Sequence, residues 1–213
     1  MLTLYAHPFS TPALAALFTG HATGAKFETK IIDLTKHGHR EPEFLAINPH
    51  GKVPALKDGD FTMSESTAIM RYLARTTQSS LLPMDPKGAA VVDQWMDFIA
   101  HHIRTPFSHV QFGRMFAPLF KQEPNEAAIQ NGVDQLQNNL PYIEARLGAH
   151  EYICGNALTL ADILFTATLD PTKAINLDLS LYPAVSAMLN KTRKSDWYLA
   201  VHTHYAAEMG LNA

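Results

Sequence analysis

Residues Leu2 to Ala6 alternate apolar and polar positions, the period-two signature of a short strand, and Pro8 ends it. The period then lengthens. Ala13, Leu14, Ala16, Leu17 and Phe18 predict a helix that stops near Gly20, and Phe27 to Leu34, rich in Ile and Thr, predicts a second strand. A polar loop carrying Lys36, His37, His39 and Arg40 leads to a short helix around Glu43 to Ile47. Two more short strands follow, and the amphipathic run Ala68, Ile69, Tyr72, Leu73 predicts a helix beginning near Glu65 or Ser66. Strand, helix, strand, short helix, strand, strand, helix is an α/β pattern, in which a right-handed crossover makes the first two strands parallel.

From Thr76 to Lys87 the period disappears into TTQSSLLPMDPK, a polar linker with two prolines. Beyond it strand signals almost vanish. Ala89 to Phe120 reads as one long helix or a bent pair, with Trp95, Phe98, Ile99 and Ile103 on one face and Pro106 as the kink. Val133, Leu136, Leu140, Ile143 and Leu147 recur in steps of three and four, with Gly148 as the expected stop. Thr159 stands three residues before Asp162, the spacing of a capping box that opens a buried helix over Ile163 to Leu169. The expected organisation is an α/β domain over residues 1–77 and an all-α domain over residues 88–213. No internal repeat or low-complexity tract interrupts it.

The chemistry gathers in residues 48–66, NPHGKVPALKDGDFTMSES. A Val53-Pro54 bond entering a strand is the natural place for a cis peptide, because the tertiary amide cuts the trans preference to about 0.5–1 kcal/mol. Turned outward, the Val53 amide groups can pair strand to strand with a short peptide. The helix starting at Glu65 or Ser66 offers free N–H groups and the positive end of its dipole to a carboxylate, with the Ser66 hydroxyl beside them. The ligand implied is a peptide with a carboxylate end.

The NPxGxVPAL stretch, followed by DGD and then SESxAI, resembles the glutathione-binding half of cytosolic glutathione transferases, and the element order resembles the thioredoxin-like fold. Thr159 to Asp162 resembles the Ser/Thr-x-x-Asp of their helical domain. HPFS, His7 to Ser10, is similar to the serine-dependent members, most closely the phi class of plants and its bacterial relatives. The resemblance implies a thioredoxin-like domain followed by a helical bundle, glutathione as co-substrate, no metal and a two-fold homodimer. It assigns Val53, Pro54, Glu65 and Ser66 to holding glutathione, and His39, Arg40 and Lys52 to its glycine end. Arginine stands at position 40 where lysine is usual, keeping the charge but changing its geometry, and His50 replaces the usual aromatic of the NPxG loop. Conjugation of a hydrophobic electrophile is the implied reaction. The alternatives are a binding or interaction protein without conjugating activity, or a glutathione-dependent peroxidase, isomerase or dehalogenase.

Conjugation needs the sulfur as thiolate. Moving a thiol from about 8.5 to about 6.5 requires about 2.7 kcal/mol in favour of the charged form. One hydrogen bond to a charged group contributes about 1.5–3 kcal/mol and a helix N-terminus about 0.3–1 kcal/mol. A single hydroxyl at a helix start is therefore sufficient. Ser10 supplies it at the mouth of the first helix, where serine is also an ordinary N-cap; Thr11 is adjacent and open to the same role. Tyr5 lies inside the first strand and reads as core. For the electrophile, Phe9 flanks Ser10, and Phe107, Gln111, Phe112 and Met115 recur at helical spacing, a pattern that serves a core as readily as a pocket.

Composition removes other classes. A net charge of −3 over 213 residues leaves no polybasic footprint for nucleic acid or an anionic membrane, and no apolar run reaches membrane-span length. The single cysteine, Cys154, forbids an intrachain disulfide, sits in an apolar segment and reads as structural. With no secretory signal in MLTLYAHPFS, a cytoplasmic location is expected. The eleven histidines are dispersed, with no HExxH, and no metal site is expected.

Overall fold

A computed structural model describes residues 1–208. Strand β1 (Leu2–Ala6) pairs in parallel with β2 (Phe27–Ile31) and antiparallel with β3 (Ala55–Asp58), which pairs antiparallel with β4 (Phe61–Ser64). The sheet order is β2-β1-β3-β4. β2 stops short of the expected Leu34 because Asp33 turns the chain: its carboxylate accepts from the Thr35 N–H at 3.0 Å, the Thr35 hydroxyl at 2.6 Å and the Lys36 N–H at 3.2 Å. Such local bonds compete with a strand ladder.

Helix α1 (Thr11–Ala22) connects the two parallel strands and runs two residues past Gly20. Gly20 is there for space and not as a stop, since a Cβ at that position would lie 2.5 Å from the Phe27 ring. α2 (Pro42–Leu45) is a single turn that buries Phe44. α3 (Ser66–Thr76) follows β4 directly and buries Ile69, Met70 and Leu73.

The described residues divide into two compact units, one of residues 1–84 together with the stretch from Arg193, the other of residues 85–192. The sequence placed everything beyond residue 88 in one domain. Helix α10 (Asp196–Glu208) belongs instead with the first unit, because its Trp197 lies against Phe18 of α1 with ring centroids 5.3 Å apart. Periodicity reveals that a helix has an apolar face, but not which unit that face meets.

In the second unit the run expected over Ala89 to Phe120 is helical from Pro86 to Leu119, in three α segments: α4 (Pro86–Phe98), α5 (Thr105–Gln111) and α6 (Ala117–Leu119). Wider π-type turns at Ile99–Arg104 and Phe112–Phe116 separate them. Each wide turn ends just before a proline, Pro106 or Pro118, whose ring and missing N–H cannot continue the i→i−4 ladder. α7 (Glu126–Ala149) buries Ile129, Leu136, Leu140, Ile143 and Leu147. It passes through Gly148 without stopping and ends where His150 turns extended at φ −141°.

α8 (Leu160–Thr168) opens on the expected capping box, and all of its residues are buried. Asp162 accepts from the Thr159 N–H at 2.8 Å and the Thr159 hydroxyl at 3.0 Å through one oxygen, and from the Ile153 N–H at 2.8 Å through the other. Burial pushes this carboxyl up, opposed by those same bonds. α9 (Pro183–Thr192) completes the unit. No helix among the described residues is long and apolar enough to cross a membrane.

Candidate active site

Ser10 is the N-cap of α1, in extended backbone at φ −93° and ψ 106°. Its Oγ accepts from the Ala13 N–H at 3.3 Å, the long end of the range for such bonds. A hydroxyl has one hydrogen and two lone pairs, so capping leaves its hydrogen available. Among the described residues, that hydrogen has no acceptor. Ser10 is half-buried, whereas Thr11 is 4 % exposed and faces the core, which separates two residues the sequence could not. Phe9 is half-buried beside them.

The Val53-Pro54 peptide is cis, and Pro54 leads straight into β3. Among the described residues, the N–H and C=O of Val53 have no backbone partner. The preceding loop is held by Asn48, a buried residue that the sequence reading passed over. Its Nδ2 donates to the Lys52 carbonyl at 2.7 Å and its Oδ1 accepts from the His50 N–H at 3.2 Å. The turn signal of Asn-Pro-His-Gly was visible; that the asparagine side chain spans it was not.

Glu65, the residue before α3, adopts φ 70° and ψ 108°. A non-glycine residue held there costs about 1–3 kcal/mol, and such residues concentrate at functional sites. Its side chain is exposed, and Ser66 is buried at the first turn of α3. β4, Glu65 and Ser66 thus bring an acid and a helix N-terminus to the end of the sheet strand next to β3.

Gly51, at φ +60°, lies against the short helical turn Gly38–Arg40. A Cβ there would stand 2.8 Å from the His39 carbonyl oxygen and 3.0 Å from Arg40 Nη1. The structure therefore brings His39 and Arg40 alongside the Gly51-Lys52 segment, and Arg40 and Lys52 are both exposed. His39 is half-buried, and burial lowers its pKa, helped by Arg40 and His37.

The five residues offered for an electrophile pocket do not behave as a set. Phe107 is fully buried and Gln111 nearly so, because the face of α5 that carries them belongs to the interior. A ring with no accessible surface gives a ligand nothing to touch, so Phe107 is core. Phe112 is 49 % exposed and Met115 half-buried, both in the second wide turn, which rotates them away from the α5 register. Tyr5 packs half-buried against Phe44, ring centroids 5.9 Å apart. Burial raises the Cys154 thiol to about 11, so it is protonated at neutral pH and is no nucleophile. No group of three or more His, Cys, Asp or Glu among the described residues is arranged to hold a metal ion.

Family models described as "Glutathione S-transferase, N-terminal domain" and "Glutathione S-transferase, C-terminal domain" match residues 1–75 and 96–196. The chain is similar to glutathione S-transferase F10 of Arabidopsis thaliana, at 37 % identity over 166 residues, 76 % of this chain and 77 % of the relative. It is also similar to glutathione S-transferase 3 of Zea mays, at 36 % over 164 residues, 76 % of this chain and 73 % of the relative. Among solved structures it is similar to glutathione S-transferase I from mais in complex with an atrazine glutathione conjugate. The TM-score there is 0.87 at 28 % identity, covering 100 % of this chain and 99 % of the other.

Proposed function

This chain belongs to the cytosolic glutathione S-transferase family and is phi-like, and from that premise we propose that the Ser10 hydroxyl donates to the sulfur of glutathione and holds it as thiolate for attack on a hydrophobic electrophile. The observation that carries the reading is the hydroxyl itself: half-buried at a helix N-terminus, capping with a lone pair and keeping its hydrogen for a ligand. The open backbone groups of Val53, beside Pro54, suit an extended peptide. Glu65 and Ser66 suit the charged γ-glutamyl end, and His39, Arg40 and Lys52 suit the glycine carboxylate. Phe9, Phe112 and Met115 remain as apolar surface for the electrophile. An ultraviolet titration of the bound thiol tests the central step. In the native protein it ionises one or more units below free glutathione, and in Ser10→Ala that shift is lost while binding persists; an unshifted native thiol sinks the assignment.

Gly51→Ala probes the glycine end of the ligand. The left-handed backbone alone costs an L-residue about 1–2 kcal/mol, and the new Cβ presses on the His39 carbonyl. The expected result is a lowered melting temperature together with weaker glutathione binding by calorimetry, with the Ser10 titration preserved in the bound fraction.

As a cytoplasmic enzyme the chain would work as a two-fold homodimer. Phe61, 50 % exposed, stacks on Tyr72 in the first unit, and Tyr142 stands exposed beside Phe98 in the second. Large exposed rings in clusters are characteristic of interface cores. Sedimentation should return twice the chain mass, and Phe61→Ser should shift the equilibrium toward monomer.

A further inference from the structure

His7 follows β1, and no step described so far uses its side chain. It is 6 % exposed, which is unusual for a histidine in a loop. Its carbonyl accepts from the Ser10 N–H at 3.0 Å. Its Nδ1 accepts from the Phe9 N–H at 3.2 Å, and its ring meets the Phe9 ring edge-on at 5.3 Å. One residue thus engages both backbone donors that lead into α1. An Nδ1 that accepts must carry its proton on Nε2, so the ring is neutral. Burial lowers its pKa, against the raising influence of the Asp33 carboxylate, and keeps it so at neutral pH.

The bland reading is a core histidine with its hydrogen bond satisfied. Against it stands what the bond does. The cap bond from Ala13 to Ser10 Oγ is long at 3.3 Å and restrains the hydroxyl weakly. The backbone of residues 7–10 is the firmer constraint on where Oγ stands, and a thiolate's stabilisation falls steeply with misplacement of its donor. We propose that His7 is a positioning residue: by accepting from Phe9 through Nδ1 and from Ser10 through its carbonyl, it fixes the turn that aims the Ser10 hydroxyl at the ligand sulfur. The inference rests on the reading that Ser10 ionises glutathione.

Two variants separate packing from positioning. His7→Phe keeps a buried ring and removes the acceptor; His7→Asn gives up the ring and keeps an acceptor near the Nδ1 position. The readout is the ultraviolet titration of bound glutathione, with affinity measured alongside. His7→Phe is expected to raise the bound thiol pKa by about one unit, roughly a tenfold loss of thiolate at neutral pH, with affinity within about threefold of native. His7→Asn is expected to restore most of the shift. If both variants titrate as the native protein does, or if both lose the shift equally, the positioning role is overturned. Ser10→Ala run in parallel keeps the two ideas apart: should it lose the shift while His7→Phe does not, only the His7 inference falls, and should it keep the shift, the Ser10 reading falls first.

Discussion

Ser10→Ala is expected to reduce conjugation at pH 7 by up to about 25-fold, with the deficit closing as the pH approaches 9. The figure follows from ionisation. A bound thiol at about 6.5 is some three-quarters thiolate at pH 7, and one returned to about 8.5 is roughly 3 % thiolate. A more basic thiolate is the better nucleophile, with a Brønsted slope of about 0.4–0.5, which returns up to roughly eightfold of the loss. The pH-rate profile therefore discriminates better than a rate at one pH. Its acid limb should move up by about two units in the variant, and a deficit that stays constant to pH 9 would show that the hydroxyl orients the sulfur without ionising it.

Asp162→Ala is expected to cost about 3–6 kcal/mol of stability. The helix cap accounts for about 0.5–2 kcal/mol. The larger part comes from the Ile153 and Thr159 N–H groups, both inside the protein and both left without an acceptor, at about 1–3 kcal/mol each. Against a total stability of about 5–15 kcal/mol, the second unit should be marginal or should not accumulate as soluble protein. Urea denaturation followed by tryptophan fluorescence measures it, and Asp162→Asn, which keeps one acceptor oxygen, should fall between. A loss below about 1 kcal/mol would mean that water replaces the carboxylate at those donors.

The parts of the fold legible in the sequence are those fixed by local chemistry. β1, β3, β4, α3 and the box at Thr159 are each set by a period or a spacing within a few residues, and the structure contains them. Distant partners decided the rest. Asp33 truncates β2 through its own turn, and α10 joins the first unit because Phe18, nearly 180 residues earlier, faces Trp197. In the candidate site, Ser10 and Val53-Pro54 were readable as motifs. The roles of Asn48 and His7 were not, because an asparagine or histidine bonding its neighbours' amides leaves no pattern among apolar positions. Phe107 and Phe112 show the limit most clearly: they are five residues apart in one helical run, yet one is interior and the other half exposed.

That divergence follows from the wide turns before Pro106 and Pro118. A π-type turn accommodates one residue more than an α-turn, and one residue of α-helix is about 100° of rotation. Each such turn acts as a phase shifter, handing the following segment to a different side of the same axis. The aromatic side chains Phe112, Phe116 and Phe120, with ring centroids 6.4 Å apart in sequence, owe their direction to that offset more than to their identity. Gain or loss of a single residue at 112–116 would re-aim all that follows without touching the core of α4 or α5, so chain length at this point is as strong a determinant of the presented surface as any side chain on it.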